Sequence, residues 1–112
     1  MIGPSHGLGP WLLQRFSALY LALFIIYVLL SFLFNGPASY QEWRDWIGAP
    51  VMNIAAALFF LALVIHSWVG IRDVIMDYVP PLGLRIMLLA LLATGLLGCL
   101  LWSWKILLPA ST

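Results

Sequence analysis

Residues 51–71 read VMNIAAALFFLALVIHSWVGI, a run free of Asp, Glu, Lys and Arg. Two further gaps between charges, 16–34 and 86–104, have the same character. At 1.5 Å per residue each run of about 19 to 21 residues covers roughly 28 to 31 Å, which matches the hydrocarbon core of a bilayer. Three membrane-spanning helices follow. Composition agrees: of 112 residues, 64% are hydrophobic and 8% charged, with a net charge of +1. Such a chain has too little polar surface to hide its apolar residues from water. It has no basic patch for nucleic acid, and its single cysteine, Cys99, excludes a disulfide framework or a cysteine-based metal site.

The expected fold is all-α and integral to the membrane, one anchor-like domain over 1–112 with helices at about 16–34, 51–77 and 84–105. A Gly/Pro-rich tail precedes the first helix, and Asn35-Gly36-Pro37 ends it. The segment SYQEWRDWI, residues 39–47, alternates charges with Trp43 and Trp46, as a turn lying at the membrane interface would. Val79-Pro80-Pro81 stops the second helix, because a residue before proline is pushed out of the α region. The first apolar run exceeds a signal-peptide core and carries no A-x-A site after it, so it reads as a retained span. Arg15, Arg72 and Arg85 fall at one membrane face, Arg44 and Lys105 at the other. That bias puts the amino terminus inside and the carboxyl terminus outside.

His66 is the one ionisable residue in the interior of a span, and intramembrane ionisable groups default to function. At 100° per residue, Ala55, Phe59, Ala62, His66, Gly70, Asp73 and Asp77 fall near one line of the second helix. Ala62 and Gly70 leave a shallow slot beside the imidazole in which a flat ligand such as a haem edge would fit. The plainer alternative is that His66 bonds a neighbouring helix and that the small residues are a packing seam. A low-spin bis-imidazole haem would need a second imidazole. His6 sits in the tail, so that ligand would come from another chain. Ala18 and Ala22, and Ala90, Thr94 and Gly98, have the four-residue spacing of close helix or subunit packing. No nucleophile and base, carboxylate pair or phosphate loop appears.

The stretch from His66 to Arg85, with H-x-W-x-G, D-Y-V and P-L-x-L-R, closely resembles the hydrophobic membrane-anchor (D) subunit of succinate dehydrogenase, respiratory complex II. The likeness extends over the whole chain in length and plan, and more weakly around Arg15. It implies a chain that is no enzyme alone but serves succinate:ubiquinone oxidation in the tricarboxylic acid cycle and electron transport. The histidine matching His66 would be an axial ligand of a haem b iron shared with a second, cytochrome b anchor subunit. The tyrosine matching Tyr78 would bond a ubiquinone carbonyl near the iron-sulfur subunit, with Asp77 beside it, and Arg15 would lie near the haem propionates. The flavoprotein subunit would attach by way of the iron-sulfur subunit, at a bacterial inner membrane. The chain departs from the pattern at Gly9, where a histidine sometimes stands, and at Pro80, where a basic residue follows D-Y-V. The alternatives are an anchor of a fumarate reductase and a cofactor-free structural membrane protein.

Overall fold

The structure is a computed structural model that describes residues 4–111, with side chains from residue 9 onward. It consists of α1 (Pro4–Asn35), α2 (Tyr40–Gly48), α3 (Pro50–Tyr78), α4 (Leu82–Leu107) and a short 3₁₀ turn over Leu108–Ser111. Three of these helices are long and apolar enough to cross a membrane. The molecule is elongated, 53 × 26 × 21 Å. Helix α3 is the central element, with α1 packed along it on one side and α4 on another.

The distribution of side chains is the reverse of that in a soluble protein. Leu21, Ala56, Val69, Ile75, Leu100 and Leu107 are the buried apolar residues among those described, whereas large ones such as Leu33, Phe34 and Val51 are exposed. The buried polar residues are Ser17 and Asn53. Lipid adds no hydrophobic drive between helices, so their association rests on shape and on polar contacts. The Tyr20 hydroxyl donates to the Ala55 carbonyl at 2.6 Å, and below it Phe24 stacks on Phe59 with centroids 4.7 Å apart. On the other side Trp104 Nε1 donates to the Ala57 carbonyl at 3.1 Å.

One end of the bundle is closed by Asn53. Its Nδ2 donates to the Ile47 carbonyl at 3.1 Å and to the Leu107 carbonyl at 2.9 Å. Both acceptors lie in final helical turns, where carbonyls have no partner further along the helix. One amide therefore ties the ends of α2 and α4 to the start of α3. Gly48 is needed at the same place, because a Cβ there would collide with the Ala110 carbonyl.

Two expectations are corrected. The segment 39–47 is not a turn but the Ser39 cap and most of helix Tyr40–Gly48: Ser39 Oγ accepts from the Glu42 amide at 3.1 Å while a Glu42 carboxylate oxygen accepts from the Ala38 amide at 3.3 Å. This capping arrangement supplies the start, and Trp46 against Phe32 of α1 seats the helix. The amino-terminal tail is also helical from Pro4, since proline suits a first helical position and Pro10 forfeits only one backbone bond. Ala90, Thr94 and Gly98 are exposed on α4, and a Cβ on Gly98 would meet nothing within 4 Å, so of the two packings their spacing suits, this stripe does not serve the one inside the chain.

Replacing Asn53 by Ala leaves the Ile47 and Leu107 carbonyls unpaired, which should cost about 1–3 kcal/mol. Unfolding by detergent titration in mixed micelles measures this, and a wild-type midpoint would show that the amide does not hold the end together.

Candidate functional site

His66 lies on the α1-facing side of α3, half-buried. Its Nδ1 is 3.1 Å from Ser17 Oγ of α1, and the Ser17 hydroxyl donates to the Gln14 carbonyl at 3.0 Å. Nε2 has no hydrogen-bond partner among the described residues. Gln14 reaches across to Gly70, where a Cβ would stand 3.5 Å from its Nε2, and its Oε1 is buried without a partner. An open apolar groove of about 280 Å³ runs next to Ser17 between α1 and α3, with Phe16, Tyr20, Ala62 and Ile65 in its wall.

From Ala55 to Gly70 the line of residues read from the helical wheel is therefore an interface with the chain's own first helix, while Asp73 and Asp77 lie exposed beyond it. Ala55 takes the Tyr20 bond, Phe59 the Phe24 ring, His66 the Ser17 hydroxyl, and Gly70 the Gln14 side chain. The slot beside the imidazole is filled from α1 at Gly70 and stays open as a groove near Ala62. The packing alternative thus describes the small residues and one nitrogen of His66. The other nitrogen remains unassigned. His6, the chain's other histidine, lies outside the described side chains.

Helix α3 runs without interruption from His66 to Tyr78 and ends where Val79, in an extended conformation, precedes Pro80. Twelve residues at 1.5 Å place Tyr78 about 18 Å further along the axis than His66. The Tyr78 ring is 78% exposed, and neither its hydroxyl nor the Asp77 carboxylate has a partner among the described residues. The end that carries them is fixed from α4: Arg85 Nε donates to the Val79 carbonyl at 3.0 Å and its guanidinium also reaches the Met76 carbonyl at 3.1 Å. A cation at these orphan carbonyls also complements the helix dipole. Arg72 pairs with its neighbour Asp73 at 3.1 Å on the exposed surface. Arg15, exposed on α1, lies over the Trp11 ring at 5.4 Å from its centroid. Tyr78 and His66 thus share one rigid helix at separate depths and make no contact.

Residues 1–102 match the family described as succinate dehydrogenase/fumarate reductase transmembrane subunit. The chain belongs to this family. A succinate dehydrogenase hydrophobic membrane anchor subunit of Coxiella burnetii (strain RSA 493 / Nine Mile phase I) is 27% identical over 102 residues, covering 91% of this chain and 89% of that protein. The chain is accordingly a multi-pass membrane anchor subunit of a succinate dehydrogenase/fumarate reductase complex.

A haem iron held axially needs an imidazole nitrogen with a free lone pair. In His66, Nδ1 is engaged by Ser17 and Nε2 has no hydrogen-bond partner among the described residues, so the side chain fits the requirement in the tautomer that leaves the Nε2 lone pair free. Among the described residues no group of three or more His, Cys, Asp or Glu is placed to hold a bare metal ion. Sequence reading missed Ser17, Gln14 and the capping role of Arg85. A lone serine in an apolar helix carries no signal of a partner 49 positions away, whereas P-L-x-L-R did mark Arg85 without saying what it holds.

Arg85→Ala should free the Met76 and Val79 carbonyls and let the last turn of α3 fray. Amide exchange over 75–79 in a nanodisc would then quicken by about 5–30-fold, the equivalent of roughly 1–2 kcal/mol. Unchanged protection would show that the cap is not what keeps Asp77 and Tyr78 in helical register.

Proposed function

We propose that this anchor subunit presents His66 as one axial ligand of a haem b and Tyr78 as a hydrogen-bond donor to ubiquinone in a succinate:ubiquinone oxidoreductase. The observation that carries the reading is the placement of both groups on one continuous helix. The imidazole sits within an apolar span with no partner for Nε2 among the described residues, and the phenol stands exposed at the helix end.

His66 would hold the iron from one side, and the second imidazole would come from a partner anchor subunit. Bound haem b supplies a reversible one-electron centre in the membrane. Arg15, which lies over the Trp11 ring, would neutralise the propionates. Tyr78 would donate to a quinone carbonyl oxygen, a bond that strengthens as negative charge develops there during reduction. Asp77, its neighbour, would relay protons from the aqueous side, since conversion to quinol takes up two electrons and two protons. Electrons would reach the quinone from an iron-sulfur subunit, which links the anchor to the flavoprotein that oxidises succinate. The name of the Coxiella relative supports that direction over fumarate reduction.

The electron-donating subunits would then lie on the Tyr78 side, taken as the cytoplasmic face of a bacterial inner membrane. The positions of Arg15, Arg72 and Arg85 support this, with Arg44 and Lys105 at the opposite end. Reporter fusions at Thr112 and near Asp45 should read outside and one near Pro81 inside. A cytoplasmic carboxyl terminus would put Tyr78 on the wrong side and sink the scheme.

Tyr78→Phe keeps the ring and deletes the donor. It should lower succinate-driven quinone reduction by about 10-fold or more, as loss of one charge-assisted hydrogen bond implies, while succinate oxidation with a soluble dye stays near normal. Full quinone reductase activity in the Phe variant would remove Tyr78 from the site.

A further inference from the structure

We infer that Ser17 sets the tautomer of His66 and thereby makes Nε2 the ligating nitrogen. The Ser17 oxygen lies within hydrogen-bond distance of two groups, the Gln14 carbonyl at 3.0 Å and His66 Nδ1 at 3.1 Å. A hydroxyl has one proton to give and lone pairs to accept with. The Gln14 carbonyl can only accept. Were the Ser17 proton given to Nδ1, two oxygen lone pairs would face each other at 3.0 Å in a site with no bulk water. The arrangement that satisfies both contacts has Ser17 donating to Gln14 and His66 Nδ1–H donating to Ser17. The neutral imidazole then carries its free lone pair on Nε2.

The geometry makes this a fixed setting. Ser17 is 8% exposed, on a helix whose backbone holds the accepting carbonyl three residues away. Bonding back to its own helix in this way turns the serine lone pairs outward toward α3. The imidazole is held in orientation as well, because Nδ1 and the ring plane follow the serine. A ligating histidine whose second nitrogen donates to an oxygen is a stronger base at the first. Ser17 is therefore a positioning residue that acts through His66.

This inference rests on the reading of His66 as a haem ligand, and the test separates the two. In the complete complex, purified with its own partner subunits, Ser17→Thr and Ser17→Val are compared. The two side chains have nearly the same shape, but only Thr keeps the hydroxyl and its bond to the preceding turn. Three readouts are taken: haem retention against an excess of a haem-binding acceptor protein, the low-spin ferric resonance signal, and the haem midpoint potential. Thr should match the wild type. Val should lose haem about 10-fold or more readily and shift the midpoint potential upward, since a weaker donor stabilises the ferric state less. If the Val complex does not assemble, Ser17→Ala deletes the hydroxyl without added bulk and takes its place.

His66→Leu is the control for the underlying reading, and it should abolish or shift the low-spin signal. Val or Ala equal to Thr in retention and potential, with the His66→Leu signal lost, would overturn the role of Ser17 alone. An unaltered low-spin signal in His66→Leu would overturn the ligand reading and this inference together.

Discussion

A membrane interior offers no water to a freed carbonyl or an unpaired side chain, so each polar group in this chain has to find its partner in protein. That constraint accounts for the contacts that hold the helices. Tyr20 and Trp104 each donate to a carbonyl of α3, from opposite flanks, and Asn53 donates outward from α3 to the ends of α2 and α4. Arg85 does the same for the far end of α3. These are donor-to-carbonyl bonds: Tyr20 and Trp104 use the spare lone pair of a mid-helix carbonyl, and Asn53 and Arg85 satisfy carbonyls that a helix end leaves without a partner. The central helix takes part in all of them.

The same economy leaves the outside apolar. Leu and Phe side chains that would form a soluble protein's core here face lipid or partner chains. The exposed Ala90, Thr94 and Gly98 line offers a smooth surface on α4 and nothing that would seal it within the chain. Two polar groups at the α1/α3 seam have no hydrogen-bond partner among the described residues. Gln14 Oε1 is buried without a donor, one helical turn from Ser17, and His66 Nε2 has no partner among the described residues. Leaving such groups unpaired in an apolar medium is costly. A chain with these features fits membership in a family whose members act within multi-subunit complexes.

Much of the architecture was legible in sequence because it depends on one-dimensional quantities. Gaps between charges reveal spans, and Val79-Pro80-Pro81 reveals where α3 must stop. His66 stands out as an ionisable residue inside a span. What the sequence could not supply was the identity of neighbours. A helical wheel gives the direction of Ala62, His66 and Gly70 but not what stands there, and α1 itself proved to be the occupant. Ser17 and Asn53 look like ordinary tolerated polar residues until the residues 49 and 54 positions away are brought beside them. Helix α2 was a different kind of miss. Its start is written in Ser39-Tyr-Gln-Glu42, a local signal outweighed by the alternation of charges and tryptophans around it.

The arrangement also divides labour between the two ends and the middle of α3. Its buried end is tied by Asn53 into a cap of α2 and the carboxyl-terminal turn, which fixes the helix in depth. The middle is oriented by Ser17, and the Tyr78 end is held open by Arg85 while its side chains stay free. A helix pinned at one end and braced at the other transmits position along its length, because each residue adds a fixed rise. The separation between imidazole and phenol is then a property of twelve helical residues and needs no contact between them. This is what an anchor subunit built on such a helix can contribute: it sets where two groups stand and which face of each is free.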